Sequence, residues 1–198
     1  MRKIGITGSI ATGKSTLLAA FAKAGVPVFS ADLAVADLYA GEAVAAVENL
    51  FPGTASNGVV DRQALARRLA ADPSGFPRLE QVIHPLVRAR IARFLAEAEA
   101  AGEALAAVEV PLLFESGHDY GFDAIAVTHV DEAIQHQRIM ARPGMNVEKR
   151  DALLARQLPQ AEKMKRATYR FDTQRPRAEI DAEVAALVAS IRADKDGK

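Results

Sequence analysis

Gly8-Ser9-Ile10-Ala11-Thr12-Gly13-Lys14-Ser15 is a full match to the phosphate-binding pattern G-x-x-x-x-G-K-[ST]. Before it, Arg2-Lys3-Ile4-Gly5-Ile6-Thr7 reads as a short buried strand. After it, Thr16 to Ala24 reads as a helix with apolar Leu17, Leu18, Ala20 and Phe21, stopped at Gly25. Strand, glycine loop and helix in that order are the context in which the pattern has physical meaning. Successive N–H groups of the turn face inward as an anion nest, and the helix N-terminus adds partial positive charge. Lys14 has the reach for β- and γ-phosphates, and the Ser15 hydroxyl is an oxygen donor suited to Mg²⁺. Gly8, Ala11, Thr12, Gly13, Lys14, Ser15 and Thr16 are therefore the candidate nucleotide-binding residues. The motif implies a nucleoside triphosphate.

Working outward, Val26-Pro27-Val28-Phe29 reads as a second strand running into Ser30-Ala31-Asp32, followed by helices over 33–39 and 42–51. Residues 54–60, rich in Gly, Asn and Ser, read as a loop. Asp61 is a good N-cap for a helix over 62–70, because its carboxylate can accept the first unpaired N–H groups. Asp72-Pro73-Ser74-Gly75 breaks that helix, and His84-Pro85 is expected to interrupt the next one before a long helix over 86–101. Strands resume at 106–114, ending on Glu115, and at 124–130, with Asp131 as the N-cap of a helix to Arg142. Further helices are predicted over 147–158 and 159–166, a last strand over 168–172, a helix over 177–193 and a frayed polar tail over 194–198.

Apolar strands alternating with helices predict an α/β fold: a P-loop NTPase-type parallel sheet flanked by helices on both faces. The roughly 75 residues between the second and third strands are too many for a simple crossover. They predict a helical insert over about 41–103 in a single domain, whose core covers about 1–40, 104–134 and 167–198, with a lid over about 135–166. In open α/β sheets ligands bind at the carboxyl ends of strands, where Asp32, Glu115 and the Gly8 loop are all expected.

Composition narrows the class. At 198 residues with 49% hydrophobic residues, the chain can bury a sizeable core. It has no apolar run long enough to span a membrane and no visible cleavable signal, so no membrane association is expected. The absence of cysteine excludes disulfides and thiolate metal sites, and suits a cytoplasmic location. A formal net charge of zero argues against general nucleic-acid binding. Charge is nevertheless uneven: Gln135 to Arg177 holds 11 Lys/Arg against 4 Asp/Glu, a net of +7. Beside a phosphate loop, such a segment reads as a cover for a polyanionic ligand; elsewhere it would be a solvated face. Nothing in the chain implies an obligate protein partner.

A GTPase needs a guanine-reading Asn-Lys-x-Asp, and a transport-type ATPase needs a signature loop and a strand ending in Asp-Glu; neither is present. A small kinase remains. Phosphoryl transfer requires an acceptor-side carboxylate and cations around the γ-phosphate. Asp32 is the candidate carboxylate, the alternative being a first-turn acid that only complements a helix dipole. Glu115 is either a substrate or metal-water ligand or a plain loop acid. Arg138 and Arg142, four apart with Gln135 a turn earlier, are expected on one helix face, where guanidinium forks can grip phosphate oxygens. His84, at a helix break, is either an acceptor contact or a packing residue.

These segments together resemble the dephospho-CoA kinase family. The matching stretches are Ile4–Gly8 with Gly13–Thr16, Ala31-Asp32, Gly58–Arg62 with Leu65, Leu79-Glu80, Ile83–Arg88, Pro111–Glu115, Gln135-x-x-Arg138-x-x-x-Arg142 and Gln157. The resemblance implies transfer of the γ-phosphoryl of ATP, with Mg²⁺, to the ribose 3′-hydroxyl of dephospho-CoA. It implies that Asp32 activates that hydroxyl, that Lys14, Arg138 and Arg142 neutralise the phosphoryl group, and that His84 and Arg88 help bind the acceptor. A kinase of the same fold acting on another alcohol, or a nucleotide-dependent binding module, is the alternative. Three departures stand out. Ser9 stands where the family has a second glycine. Ala11-Thr12 replaces Gly-Ser, which costs on the order of 1 kcal/mol if position 11 is left-handed. Thr168 and Arg170 stand where the family has Ala-Asp and an apolar strand.

Overall fold

A computed structural model describes residues 1–196. The chain forms two compact units, one comprising residues 1–30 and 94–196 and the other residues 31–93.

The first unit is built on a five-stranded, all-parallel sheet. Its strands are β1 (Arg2–Gly8), β2 (Val28–Ser30), β5 (Leu105–Glu109), β6 (Ala124–His129) and β7 (Tyr169–Asp172), in the spatial order β2-β5-β1-β6-β7. Parallel strands are covered on both faces, which is why β5 is buried at every residue and reads as an unbroken apolar run. Helices α1 (Lys14–Lys23) and α9 (Arg177–Asp196) close one layer. Phe21 of α1 meets Phe171 of β7 edge to face at 6.4 Å, amid fully buried Ile4, Ile6, Leu17, Ile180 and Val184. Helices α6 (Glu132–Met140), α7 (Val147–Ala155) and α8 (Gln160–Lys165) lie between β6 and β7 in sequence.

The second unit holds α2 (Ala31–Leu38), α3 (Val44–Leu50), a hairpin of β3 (Ala55–Ser56) and β4 (Val59–Val60), α4 (Arg62–Ala71) and the first part of α5 (Gly75–Ala100). Asp61 caps α4 as expected, accepting from the N–H groups of Gln63 at 2.8 Å and Ala64 at 3.0 Å. Glu48 closes the turn before the hairpin by accepting three N–H groups, from Gly53, Thr54 and Ala55.

Five local expectations are corrected. Residues 54–60 are a β-hairpin, because Asn57 and Gly58 both adopt positive φ (51° and 76°), the backbone of a two-residue turn that joins antiparallel strands. Helix α5 runs unbroken through Pro85: the proline removes one N–H bond, while buried Leu79, Ile83, Val87 and Ile91 keep the apolar stripe continuous across it. The third core strand ends at Glu109, not beside Glu115, because residues 111–116 turn away from the sheet. Asp131 occupies the N-cap position of α6, but its side chain accepts no capping bond. Helix α9 continues to Asp196, past the predicted end; of the tail expected to fray, Gly197 and Lys198 lie outside the described residues. The last strand does form. Thr168 pairs with β6 through its N–H to Ile125 O and through its hydroxyl, which accepts from Ile125 N–H, while Arg170 is exposed and donates to Met164 O.

Candidate active site

The chain leaves β1 at its carboxyl end, turns through Ser9–Gly13 and enters α1 at Lys14. Three threonine hydroxyls set this turn from beneath. Thr12 Oγ1 donates to Ser9 O at 2.8 Å and shares a 2.8 Å hydroxyl–hydroxyl bond with Thr128 of β6. Thr173 Oγ1, just beyond β7, donates to Thr12 O at 2.7 Å. All three residues are buried, so neighbouring strands fix the loop through bonds screened from water. Gly13 has φ 83°, and a Cβ there would stand 2.7 Å from Thr173 Oγ1. Only glycine fits that backbone in that space. Ala11 is also left-handed, with φ 63°, so the strain expected from its replacement of glycine is present.

Two cations lie on the loop. Lys14 Nζ donates to Gly8 O and Ser9 O, each at 3.1 Å. The Arg138 guanidinium reaches Ala11 O at 3.5 Å and Thr173 O at 3.1 Å. Ser15 is exposed in the first turn of α1, where backbone N–H groups lack intrahelical acceptors. The helix has no acidic residue in that turn, so its positive end is uncompensated.

The expected face of Gln135, Arg138 and Arg142 is only partly realised. Helix α6 ends at Met140, and Arg142 lies exposed in the turn beyond it. Gln135 is buried and braces the loop, its Nε2 donating to Ile10 O at 2.8 Å. Ile10 N–H in turn donates to Gln157 Oε1 at 2.8 Å, so one loop residue is held on both sides. Gln160 supports Gln135 at 2.9 Å.

Glu115 points to the segment before α8. Its Oε1 accepts from Leu158 N–H at 2.8 Å and stands 2.8 Å from the Lys163 ammonium, which is wholly buried. Burial alone would raise the Glu115 carboxyl. The Lys163 ammonium and the N–H groups of Leu158 and of Glu115 itself outweigh that, holding its pKa below the ordinary carboxylate value. At the end of β5, Glu109 is the buried carboxylate, accepting from Ser30 Oγ at 2.9 Å.

In the second unit, Asp32 is exposed in the first turn of α2, two residues beyond β2. His84 and Arg88, one turn apart on α5, line an open groove of about 420 Å³ with Pro77, Glu80, Gln81 and Pro85. Arg88 Nε is buried there without a hydrogen-bond partner. Sequence reasoning missed Thr128, Thr173, Gln160 and Lys163. Threonines in strands are ordinary, and a lysine in a basic helix reads as solvated, so only the tertiary contacts distinguish them.

Comparison with known proteins gives one consistent result. The family model for dephospho-CoA kinase matches residues 2–177. A dephospho-CoA kinase of Rhizobium etli is 48% identical over 97% of this chain and 95% of the relative, and one of Rhodopseudomonas palustris is 48% identical over 96% of each. The solved dephospho-CoA kinase of Campylobacter jejuni superposes with TM-score 0.74 at 25% identity, covering 98% of this chain and 100% of that one.

Proposed function

This chain belongs to the dephospho-CoA kinase family, and from that premise we propose that residues 8–16, Asp32 and the basic segment 135–166 transfer the γ-phosphoryl of ATP to the ribose 3′-hydroxyl of dephospho-CoA. The observation that carries this reading is the loop itself, an anion nest with Lys14 and Arg138 already seated on its carbonyls. In the reaction those two cations exchange carbonyl oxygens for phosphate oxygens. Charge on the transferring group is then met by preorganised donors rather than by reorienting water. Gly8, Ala11, Thr12, Gly13 and Thr16 shape and line the phosphate cradle. Arg142, exposed beyond α6, adds a third cation from the same basic segment.

Asp32 accepts the proton of the acceptor hydroxyl and orients its oxygen toward phosphorus. Its carboxylate is exposed in the first turn of α2, within reach of a substrate hydroxyl. His84 and Arg88 hold the acceptor in the groove on α5, where the unpartnered Arg88 Nε suits an anionic group. Glu115 was the remaining candidate for the acceptor; its Oε1 bonds to Leu158 and its ion pair with Lys163 suit a supporting role better.

Mg²⁺ fits at Ser15. The hydroxyl is a hard oxygen donor exposed beside Lys14, and no group of three His, Cys, Asp or Glu residues that could hold a metal occurs among the described residues. Mg²⁺ keeps several waters and takes phosphate oxygens from its substrate, so a single protein hydroxyl suits it. When bound, the ion neutralises charge on the β- and γ-phosphates. No helix among the described residues is long and apolar enough to cross a membrane, and with the cysteine-free sequence this supports a cytoplasmic place.

The testing experiment is ADP release by the purified protein with ATP and Mg²⁺, comparing dephospho-CoA, AMP, adenosine, shikimate and no acceptor. Release that depends on dephospho-CoA, with CoA formed in equal amount, is the expected result. Stimulation by another acceptor, or by none, overturns the reading.

A further inference from the structure

Lys163 is a cation with no exposed side-chain surface, in a protein whose other charged groups mostly face water. Taking an ammonium out of water is unfavourable unless its surroundings compensate. A buried pair is therefore weak evidence of stabilisation and calls for a specific return, such as fixing one arrangement among several. The bonds around it identify what is fixed. Glu115 Oε1 faces Lys163 on one side and accepts Leu158 N–H on the other. Leu158 sits between Gln157, which accepts Ile10 N–H at 2.8 Å, and Pro159, the N-cap of α8. Ile10 O is meanwhile taken by Gln135, itself bonded to Gln160 of α8. Leu158 O also accepts from Ser9 Oγ at 3.5 Å.

We propose that Lys163 and Glu115 are positioning residues for the phosphate loop: they anchor Leu158 so that Gln157 clamps the Ile10 peptide in its nucleotide-binding conformation. Neither touches the nucleotide. They act through Gln157, which consumes the Ile10 N–H, while Thr12 N–H turns to Ser9 O at 3.4 Å, leaving the N–H groups of Ala11 and of Gly13 onward for phosphate. The device matters here because Ala11 is held left-handed at φ 63°, a conformation that an alanine abandons unless its neighbours are pinned. The inference rests on the nucleotide-binding part of the function proposed above, not on the identity of the acceptor.

The test measures affinity for a non-hydrolysable ATP analogue by calorimetry, with melting temperature recorded in parallel, on the full chain. The variants are Gln157→Leu, Gln157→Glu, the paired Lys163→Met/Glu115→Leu, which also removes the acceptor of Leu158 N–H, and the combination of that pair with Gln157→Leu. Lys163→Met alone would strand a buried carboxylate, so the pair is used to keep the interior neutral. Gln157→Leu and the paired variant are each expected to weaken analogue binding about tenfold, the magnitude typical of removing a group that orients a ligand-binding element. Gln157→Glu, which keeps the accepting oxygen, should restore affinity to within about threefold. The combined variant should be no weaker than Gln157→Leu alone, because both lesions break one chain of contacts. Affinity within twofold of the unaltered protein in the paired variant overturns the proposal, whatever the melting temperature does. So do losses that multiply in the combination. If the unaltered protein binds the analogue yet phosphorylates no dephospho-CoA, the acceptor reading fails while this inference is still decided by the binding series.

Discussion

Positions 11 and 13 of the phosphate loop share a left-handed backbone but carry different residues, and the structure predicts unequal responses to exchanging them. Gly13 has φ 83°, and an added Cβ would stand 2.7 Å from Thr173 Oγ1 and 2.9 Å from Thr173 Cβ. Thr173 cannot yield easily: it is 6% exposed and its hydroxyl is committed to Thr12 O at 2.7 Å. Gly13→Ala therefore adds about 1–2 kcal/mol of backbone strain and about 1–3 kcal/mol of overpacking. Their sum is on the order of 2–5 kcal/mol. Ala11→Gly removes strain of about 1 kcal/mol and costs about 0.4–1 kcal/mol in added freedom of the unfolded chain. Its net effect should be within about 0.5 kcal/mol of zero. Urea unfolding reads both, and with slopes of about 1–3 kcal/mol/M the Gly13→Ala midpoint should fall by about 0.7 M or more. Equal shifts for the two variants, or a Gly13→Ala loss under about 0.5 kcal/mol, would refute the conformational account.

Lys14→Ala and Asp32→Ala should each lower turnover at least ~100-fold, the first through lost charge stabilisation and the second through lost acceptor activation; an Asp32→Ala change under about threefold removes Asp32 from the chemistry. Residues 135–166 should gain hydrogen-exchange protection when an ATP analogue and dephospho-CoA bind together, and unchanged exchange there would argue against a closing lid. Acid should weaken the fold partly through Glu115. Its folded pKa is depressed, so its contribution is present above the unfolded value of about 4.3 and lost as pH falls through the folded one. The paired Lys163→Met/Glu115→Leu protein should flatten that acid limb in a pH series of urea midpoints, and an unchanged limb assigns the acid sensitivity elsewhere.

The sequence determined the parts of this protein that are governed by local chain chemistry. The glycine loop between an apolar strand and a helix, the Asp61 cap and the alternation that yields a parallel sheet follow from residue spacing, since phosphate cradles, caps and buried strands are each made within a few consecutive residues. The turn at Asn57-Gly58 reads in the sequence only as a loop, because the two-residue strands that flank it are too short to show alternation. Tertiary structure decided the rest. Helix α5 passes through Pro85 because packing on both sides of the proline exceeds the loss of one backbone bond. Gln135 became a brace for the loop, and Glu115 the partner of a buried lysine, because the residues they meet lie more than forty positions away in the chain for Glu115 and more than a hundred for Gln135. Burial and hydrogen-bond partnership are properties of chain segments brought together. No periodicity in the sequence encodes that Lys163 is dry while Lys165, two residues on, is solvated.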